Sequence, residues 1–288
     1  MKSTLGILTW KAPRTLENSL RAWQSVPAEI FERRFVFCQE FDPEEMELAR
    51  KYGFEVEGHS ENIGIQNGLK SIAELAATPT VLIAENDCEP YLVNESTRAQ
   101  LVSAIQATAA GEVVCMKLEN RRIPGLTGYD EWTLLPRFNR YWPWEGRDTV
   151  WRRMVLAARR LLRPGVARAH IGDAIGSVVN PHQIFPGRID WDERGFYRTS
   201  STFLRWSNRS ILVNREWFLE KLLPFAESHP SPSSRKVNGL DDLERPVNCP
   251  ANRKWWMSQG FPIGWLEPGL TWHNRLDRGA GDEKVTQS

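Results

Sequence analysis

Short apolar runs alternate with amphipathic stretches through the first 120 residues, which predicts strands and helices in turn. Leu5-Gly6-Ile7-Leu8-Thr9 reads as a buried strand, and Leu16, Leu20 and Trp23 recur at helical spacing within residues 15–23. Phe35-Val36-Phe37-Cys38 is a second strand. After it, Asp42-Pro43-Glu44-Glu45 carries the marks of a helix start: a capping side chain, proline at the first helical position and acids in the first turn. Residues 54–56 form a third short strand, residues 62–77 a loop entering a helix, residues 80–84 a fourth strand and residues 113–116 a fifth. Strands separated by helices need crossover connections, so this half predicts a Rossmann-like, mostly parallel sheet covered on both faces. In such sheets ligands gather at the carboxyl ends of the strands. That edge carries Thr9-Trp10-Lys11, Gln39-Glu40, residues 57–59 with Asn62, and Glu85-Asn86-Asp87.

Beyond residue 120 the pattern weakens. Proline, glycine and tryptophan punctuate residues 123–147, residues 148–163 are helical, and residues 164–198 are loop-rich. So much irregular chain in one domain is expected to cover something. A strand pattern returns at Ser210-Ile211-Leu212-Val213, with a helix over 215–223, a Ser/Pro-rich loop over 228–238 and a last helix over 251–259. An apolar run follows at 261–266, and residues 279–288 read as a frayed tail.

Composition narrows the class. With 288 residues, 41% hydrophobic and 25% charged, the chain builds one large domain or two small ones and is neither disordered nor fibrous. Lys+Arg 37 against Asp+Glu 36 leaves a net charge of +1, so no whole-molecule field draws in nucleic acid. No run approaches the ~18 apolar residues of a membrane span, and the first apolar stretch is too short for a secretory signal, so a cytoplasmic location is expected. Cys38, Cys88, Cys115 and Cys249 form no C-x-x-C pair, which predicts reduced, buried thiols. Thirteen Trp beside five Tyr implies either a tryptophan-rich core or the aromatic walls of a cleft.

The chemistry concentrates in Asn62-Ile63-Gly64-Ile65-Gln66-Asn67-Gly68-Leu69 and in the strand ending Glu85-Asn86-Asp87. Carboxylates at the end of a strand in a nucleotide-type sheet offer hard oxygen ligands where a diphosphate would lie, and a divalent cation bridges the two. The same residue types are also favoured in plain strand-end turns. With its opening strand, a second strand ending at Glu40, the Asn62-Ile63-Gly64 segment and a D-x-D-like triplet, the chain resembles the GT-A-fold glycosyltransferases of the inverting family 2 group. The resemblance runs from residue 5 to about residue 275. It implies a single α/β domain with a mixed, mostly parallel sheet flanked by helices. Residues 1–120 would be the nucleotide-sugar half and 121–275 the acceptor half, with 276–288 a flexible tail.

The resemblance also implies roles. Asp87 would ligate Mn²⁺ or Mg²⁺, with Glu85 near the ribose or the metal. Thr9, Trp10, Gln39, Glu40, Asn62, Gly64, Asn67 and Asn86 would line the donor site, Thr9, Gln39 and Glu40 holding the base. Gln39 stands where such enzymes often carry Asp. Residues 206–215 resemble the strand before the acceptor helix, and Leu240-Asp241-Asp242-Leu243-Glu244 supplies acids where these enzymes place a catalytic base. Pro268-Gly269-Leu270-Thr271-Trp272-His273 resembles the closing strand whose histidine completes the metal site. A single displacement needs one carboxylate to deprotonate the acceptor hydroxyl, and Asp242 and Glu244 are both candidates. Asp241 and Asp242 also suit a helix cap, and His273 an ordinary hydrogen-bonded histidine. The implied donor is a nucleotide sugar, UDP-linked, and the acceptor a glycan or a lipid-linked molecule.

Rival classes lack their signatures. Residues 10–14 contain no glycine, against a nucleotidyltransferase phosphate loop, and neither G-x-G-x-x-G nor G-x-S-x-G is present. A carbohydrate-binding protein of the same fold remains the non-enzymatic alternative. In residues 148–163, Arg152, Arg153, Arg159, Arg160 and Arg163 share one helical face, with Val150, Trp151, Met154, Val155, Ala158, Leu161 and Leu162 on the other. Such a helix either packs its apolar face on the core or lies peripherally on an anionic membrane.

Overall fold

The computed structural model describes residues 1–91, 93–119, 138–143, 149–230 and 240–273. β1 (Ser3–Thr9) is buried along its whole length and leads into α1 (Pro13–Trp23), which buries Leu16, Leu20 and Trp23. β2 (Phe31–Cys38) precedes α2 (Pro43–Lys51), where the Asp42 side chain accepts from Glu44 N at 3.0 Å and Glu45 N at 3.1 Å. This is the cap expected from the sequence. Next come β3 (Glu55–Gly58), α3 (Gly64–Leu75), β4 (Thr80–Glu85), β5 (Cys88–Pro90), α4 (Glu95–Ala109) and β6 (Cys115–Lys117).

The later half contributes α5 (Val150–Leu162), β7 (Asp190–Asp192), β8 (Phe196–Ser200) and β9 (Ile211–Asn214). A helical run follows through Arg215–Trp217, Phe218–Leu222 and Leu223–Ser228. The described chain closes with α6 (Glu244–Asn248), α7 (Arg253–Gln259), β10 (Pro262–Leu266) and β11 (Thr271–His273).

Among the described residues, nine strands form one sheet in the order β3-β2-β1-β4-β9-β6-β10-β8-β7. Pairings among β3, β2, β1 and β4 are parallel, as the crossover helices require, and β9 runs antiparallel between β4 and β6. Because β6 lies between β9 and β10, the sheet is continuous across both halves of the chain. Successive side chains go to opposite faces: Leu82 and Ala84 join the layer with α1 and α4, and Val81 and Ile83 the layer with α3. β7 and β8 fall in the stretch read as loop-rich, so that region carries the antiparallel edge of the sheet. The tail at 276–288 and most of the loop at 228–238 lie outside the described residues.

Part of the tryptophan excess supplies core. Trp23, Trp206, Trp217, Trp256 and Trp265 are all buried. Trp206 meets Trp256 at 5.7 Å and Trp217 at 6.2 Å between ring centroids, and Trp217 meets Phe261 edge-on at 5.2 Å. Large rigid rings in edge contact make a stiff platform under whatever is bonded to it.

Candidate active site

The carboxyl ends of β1, β2 and β4 meet as one rim. Gln39 N donates to Thr9 O at 3.0 Å and Asn86 N to Leu8 O at 2.9 Å, joining the three strand ends. Thr9 lies behind this rim with its hydroxyl engaged: it donates to Glu45 Oε1 at 2.6 Å and accepts from Asn86 Nδ2 at 3.0 Å. Burial pushes the Glu45 carboxyl up, opposed by hydrogen bonds from Ala12 N and Thr9. Trp10 Nε1 donates to Glu40 Oε2 at 3.2 Å and Lys11 Nζ to Glu40 Oε1 at 3.0 Å. The Lys11 bond first, then the Trp10 bond, hold the Glu40 carboxyl below the usual range.

α3 begins beside this rim. Asn62 Oδ1 accepts from Gly64 N at 2.8 Å, and Ile63 N donates to Gln39 O at 3.4 Å. Gly64 has φ +79°, and a Cβ there would lie 2.6 Å from Leu240 Cβ, so only glycine lets the 240–244 loop dock on this helix start. Asn67 is exposed, and its amide donates to Ile63 O at 3.0 Å within its own helix. Gln66, to which the sequence reading of this segment gave no role, is buried: its N donates to Asp241 O at 3.2 Å, and its Oε1 is a buried acceptor without a hydrogen-bond partner among the described residues. One glutamine in a helix start carries no pattern that would single it out.

The carboxylates after β4 are met by the end of the described chain. β5 pairs antiparallel with β11, setting His273 opposite Cys88 in a separate two-stranded sheet. His273 Nε2 lies 2.8 Å from Asp87 Oδ2. Glu85, Asp87 and His273 each present one ligand atom, all within 4.8 Å of one another. Two carboxylates and one imidazole converging this closely are a donor set that fits a divalent cation such as Mn²⁺. The buried Glu119 adjoins this region through a bridge to Thr271 and through Arg209 Nη1, 3.4 Å from Glu119 Oε1. Burial, then the charges of Asp87, Glu85 and Glu119, push the Cys88 thiol well above its ordinary range.

The second acidic group is held by a tight turn. Glu244 N donates to Asp242 O at 2.7 Å across Leu243, whose φ is +61° and ψ −39°. This i→i+2 closure is a γ-turn of the strained sort, here centred on a buried leucine. Asn208 clamps it from both sides: its backbone N donates to Glu244 Oε1 at 2.9 Å, and its Nδ2 donates to Asp242 O. Asn208 Oδ1 in turn accepts from Trp206 Nε1 at 2.7 Å, so the aromatic core positions the turn. A reciprocal pair between Asn248 and the Trp206 backbone straps α6 to the same segment, at 3.1 and 2.9 Å.

Asp242 Oδ1 caps α6 by accepting from Arg245 N at 2.9 Å. Burial pushes its carboxyl up, against the pull of the Arg245 bond and charge. The consecutive residues Asn208 and Arg209 thus reach the Asp242 turn and Glu119, linking the two acidic groups.

No family model and no curated protein matches the chain. Among solved structures, GalNAc-T7 with UDP, GalNAc and Mn²⁺ aligns over 96% of this chain and 44% of its own, at 11% identity and a TM-score of 0.53. The mannosyltransferase PcManGT from Pyrobaculum calidifontis, in complex with GDP-Man and Mn²⁺, aligns over 96% of this chain and 58% of its own, at 11% identity and a TM-score of 0.49. TarS from S. aureus aligns over 43% of this chain and 37% of its own, at 14% identity and a TM-score of 0.35. The chain thus spans less than two thirds of the length of each of these structures. The likeness to GalNAc-T7 and the strand order together give the chain a GT-A fold, a single α/β domain with a mixed sheet flanked by helices.

Proposed function

We propose that this protein is a metal-dependent glycosyltransferase that moves a sugar from a nucleotide-sugar donor to an acceptor hydroxyl with inversion. One observation carries the reading: Glu85 and Asp87 at the end of β4 converge with His273 at the functional edge of a GT-A sheet. Glu85, Asp87 and His273 would hold Mn²⁺ or Mg²⁺, which supplies positive charge opposite the departing diphosphate. The chain's own groups do the rest.

Gln39 at the end of β2 has a side-chain amide without a hydrogen-bond partner among the described residues, which suits it to the edge of a base. Trp10 and Glu40, tied to each other, stiffen the adjoining wall. Thr9 and Asn86 act behind that wall by fixing the strand ends. Asp242 takes the proton from the acceptor hydroxyl. Asp242 and Glu244 each accept a backbone N–H, from Arg245 and Asn208, and the burial that raises the Asp242 carboxyl, making it a stronger base than an exposed aspartate, is what favours Asp242. The sugar, the nucleotide base and the acceptor are set by loops around these groups.

Calorimetric titration of UDP and GDP with and without Mn²⁺, on the native chain and on Asp87→Ala, tests the reading. Nucleotide binding is expected to need the cation and to vanish in Asp87→Ala. Binding of equal strength without Mn²⁺, or unchanged in the variant, would sink the assignment.

A further inference from the structure

α5 is amphipathic with its faces reversed relative to the protein. Leu156 is its one buried position, and it lies among the arginines. From that face Arg160 Nη1 donates to Tyr141 O at 2.9 Å and its guanidinium covers the Trp142 ring at 4.9 Å, while Arg159 Nη1 reaches Arg140 O at 3.4 Å. The opposite, apolar stripe faces out: Trp151 is 73% exposed, Met154 61%, Leu161 82% and Leu162 81%. At the C-terminal end of α5 opens a cleft of about 430 Å³ whose charged lining is Arg163, Arg168, Arg253 and Lys254, with no carboxylate. No hydrogen bond or ion pair engages these four side chains among the described residues.

We propose that α5 and this basic cleft form a docking surface for the anionic face of a lipid membrane. Charge complementarity selects that occupant. The cleft gathers Arg163, Arg168, Arg253 and Lys254 with no acid in its lining, in a chain whose net charge is only +1, so the cationic character is local. A second copy of the chain would bring the same cations against themselves. A folded protein partner would need carboxylates matched in position to the cleft and an apolar groove matched to the stripe. A sheet of anionic headgroups over acyl chains meets both demands without a fixed shape: Trp151, Leu161 and Leu162 enter the headgroup boundary while the cleft cations stay at the phosphates. Such docking would suit an acceptor carried on a lipid, but it stands apart from the catalytic reading, because it involves neither the donor nor the cation.

The test is co-sedimentation of the full chain with phosphatidylglycerol/phosphatidylcholine vesicles and with pure phosphatidylcholine vesicles, without nucleotide, at about 50 and about 500 mM NaCl. Binding is expected to the anionic vesicles alone and to fall sharply at the higher salt. The double variant W151S/L162S, altered only at exposed positions, is expected to bind at least about tenfold more weakly at both salts with an unchanged circular dichroism spectrum. Arg168→Gln with Arg253→Gln and Lys254→Gln is expected to lose about fivefold per cation at low salt only. Absence of binding to anionic vesicles, equal binding to neutral ones, or unaltered binding by W151S/L162S would overturn the proposal. So would a dimer, seen by analytical ultracentrifugation, that W151S/L162S dissolves, since the face would then belong to a second copy.

Discussion

Asn208→Ala isolates the clamp that holds the Asp242 turn. The substitution keeps the backbone bond from residue 208 to Glu244 and removes two side-chain bonds, to Asp242 O and from Trp206 Nε1. Each net hydrogen bond is worth about 1 kcal/mol, and the indole N–H left unpaired beside a buried ring adds about 1 kcal/mol or more. The loss of about 3 kcal/mol corresponds, for a domain of this size, to a fall in Tm of about 6–10 °C. The rate should suffer further. The positive-φ conformation at Leu243 persists only while its surroundings over-determine it. Without the clamp the turn relaxes and the Asp242 carboxylate moves, and a displacement of about 1 Å costs about a hundredfold in turnover. Scanning calorimetry and steady-state kinetics against donor and acceptor read the two effects separately, with donor KM expected to stay constant. A Tm within about 2 °C of the native value, or a rate loss lying wholly in donor KM, would refute the reasoning.

Two more expectations concern ionisation. Asp242, raised by burial in the presence of Arg245, Glu244 and Asp241, should set an acidic limb in kcat/KM above the ordinary aspartate value of ~3.9. Its folded carboxyl holds a proton more tightly than the unfolded one, so its contribution to stability is greatest at low pH and declines as pH rises through the folded value. Urea melts should therefore show native stability falling relative to Asp242→Asn as pH rises above about 4, and a flat or opposite difference would exclude the buried carboxylate. The thiols should be inert in the folded chain: burial pushes Cys38 and Cys115 up to about 12, and all four cysteines are buried. Ellman's reagent at neutral pH is expected to label them only after unfolding, and rapid native labelling of Cys38 or Cys115 would contradict the packing.

What the sequence made legible divides along physical lines. The Asp42-Pro43 cap and the buried strands β1, β2 and β4 rest on local chemistry and long apolar runs, and they stand where the residues predict them. β5 is three residues with a closing proline, too short for any periodicity to register. α4 buries Thr97, Leu101, Ala104, Ile105, Ala107 and Thr108, a mix of small and polar positions without a single apolar face, and so gave no helical stripe. For α5 the two-faced pattern was visible but its sense was not, because periodicity locates an apolar face without saying whether it turns inward. At the site, Glu85, Asp87 and His273 are residue types that advertise themselves. Asn208 and Gln66 are single amides whose importance comes only from partners far along the chain.

The pairing of β5 with β11 ties the convergence of Glu85, Asp87 and His273 to the order in which the chain leaves the ribosome. Glu85 and Asp87 are synthesised with the β1, β2 and β4 framework, well before His273. A nascent polypeptide can therefore assemble most of its sheet while still lacking the imidazole that closes the trio. Under the proposed reading, tight cation binding is expected only of chains that extend through β11.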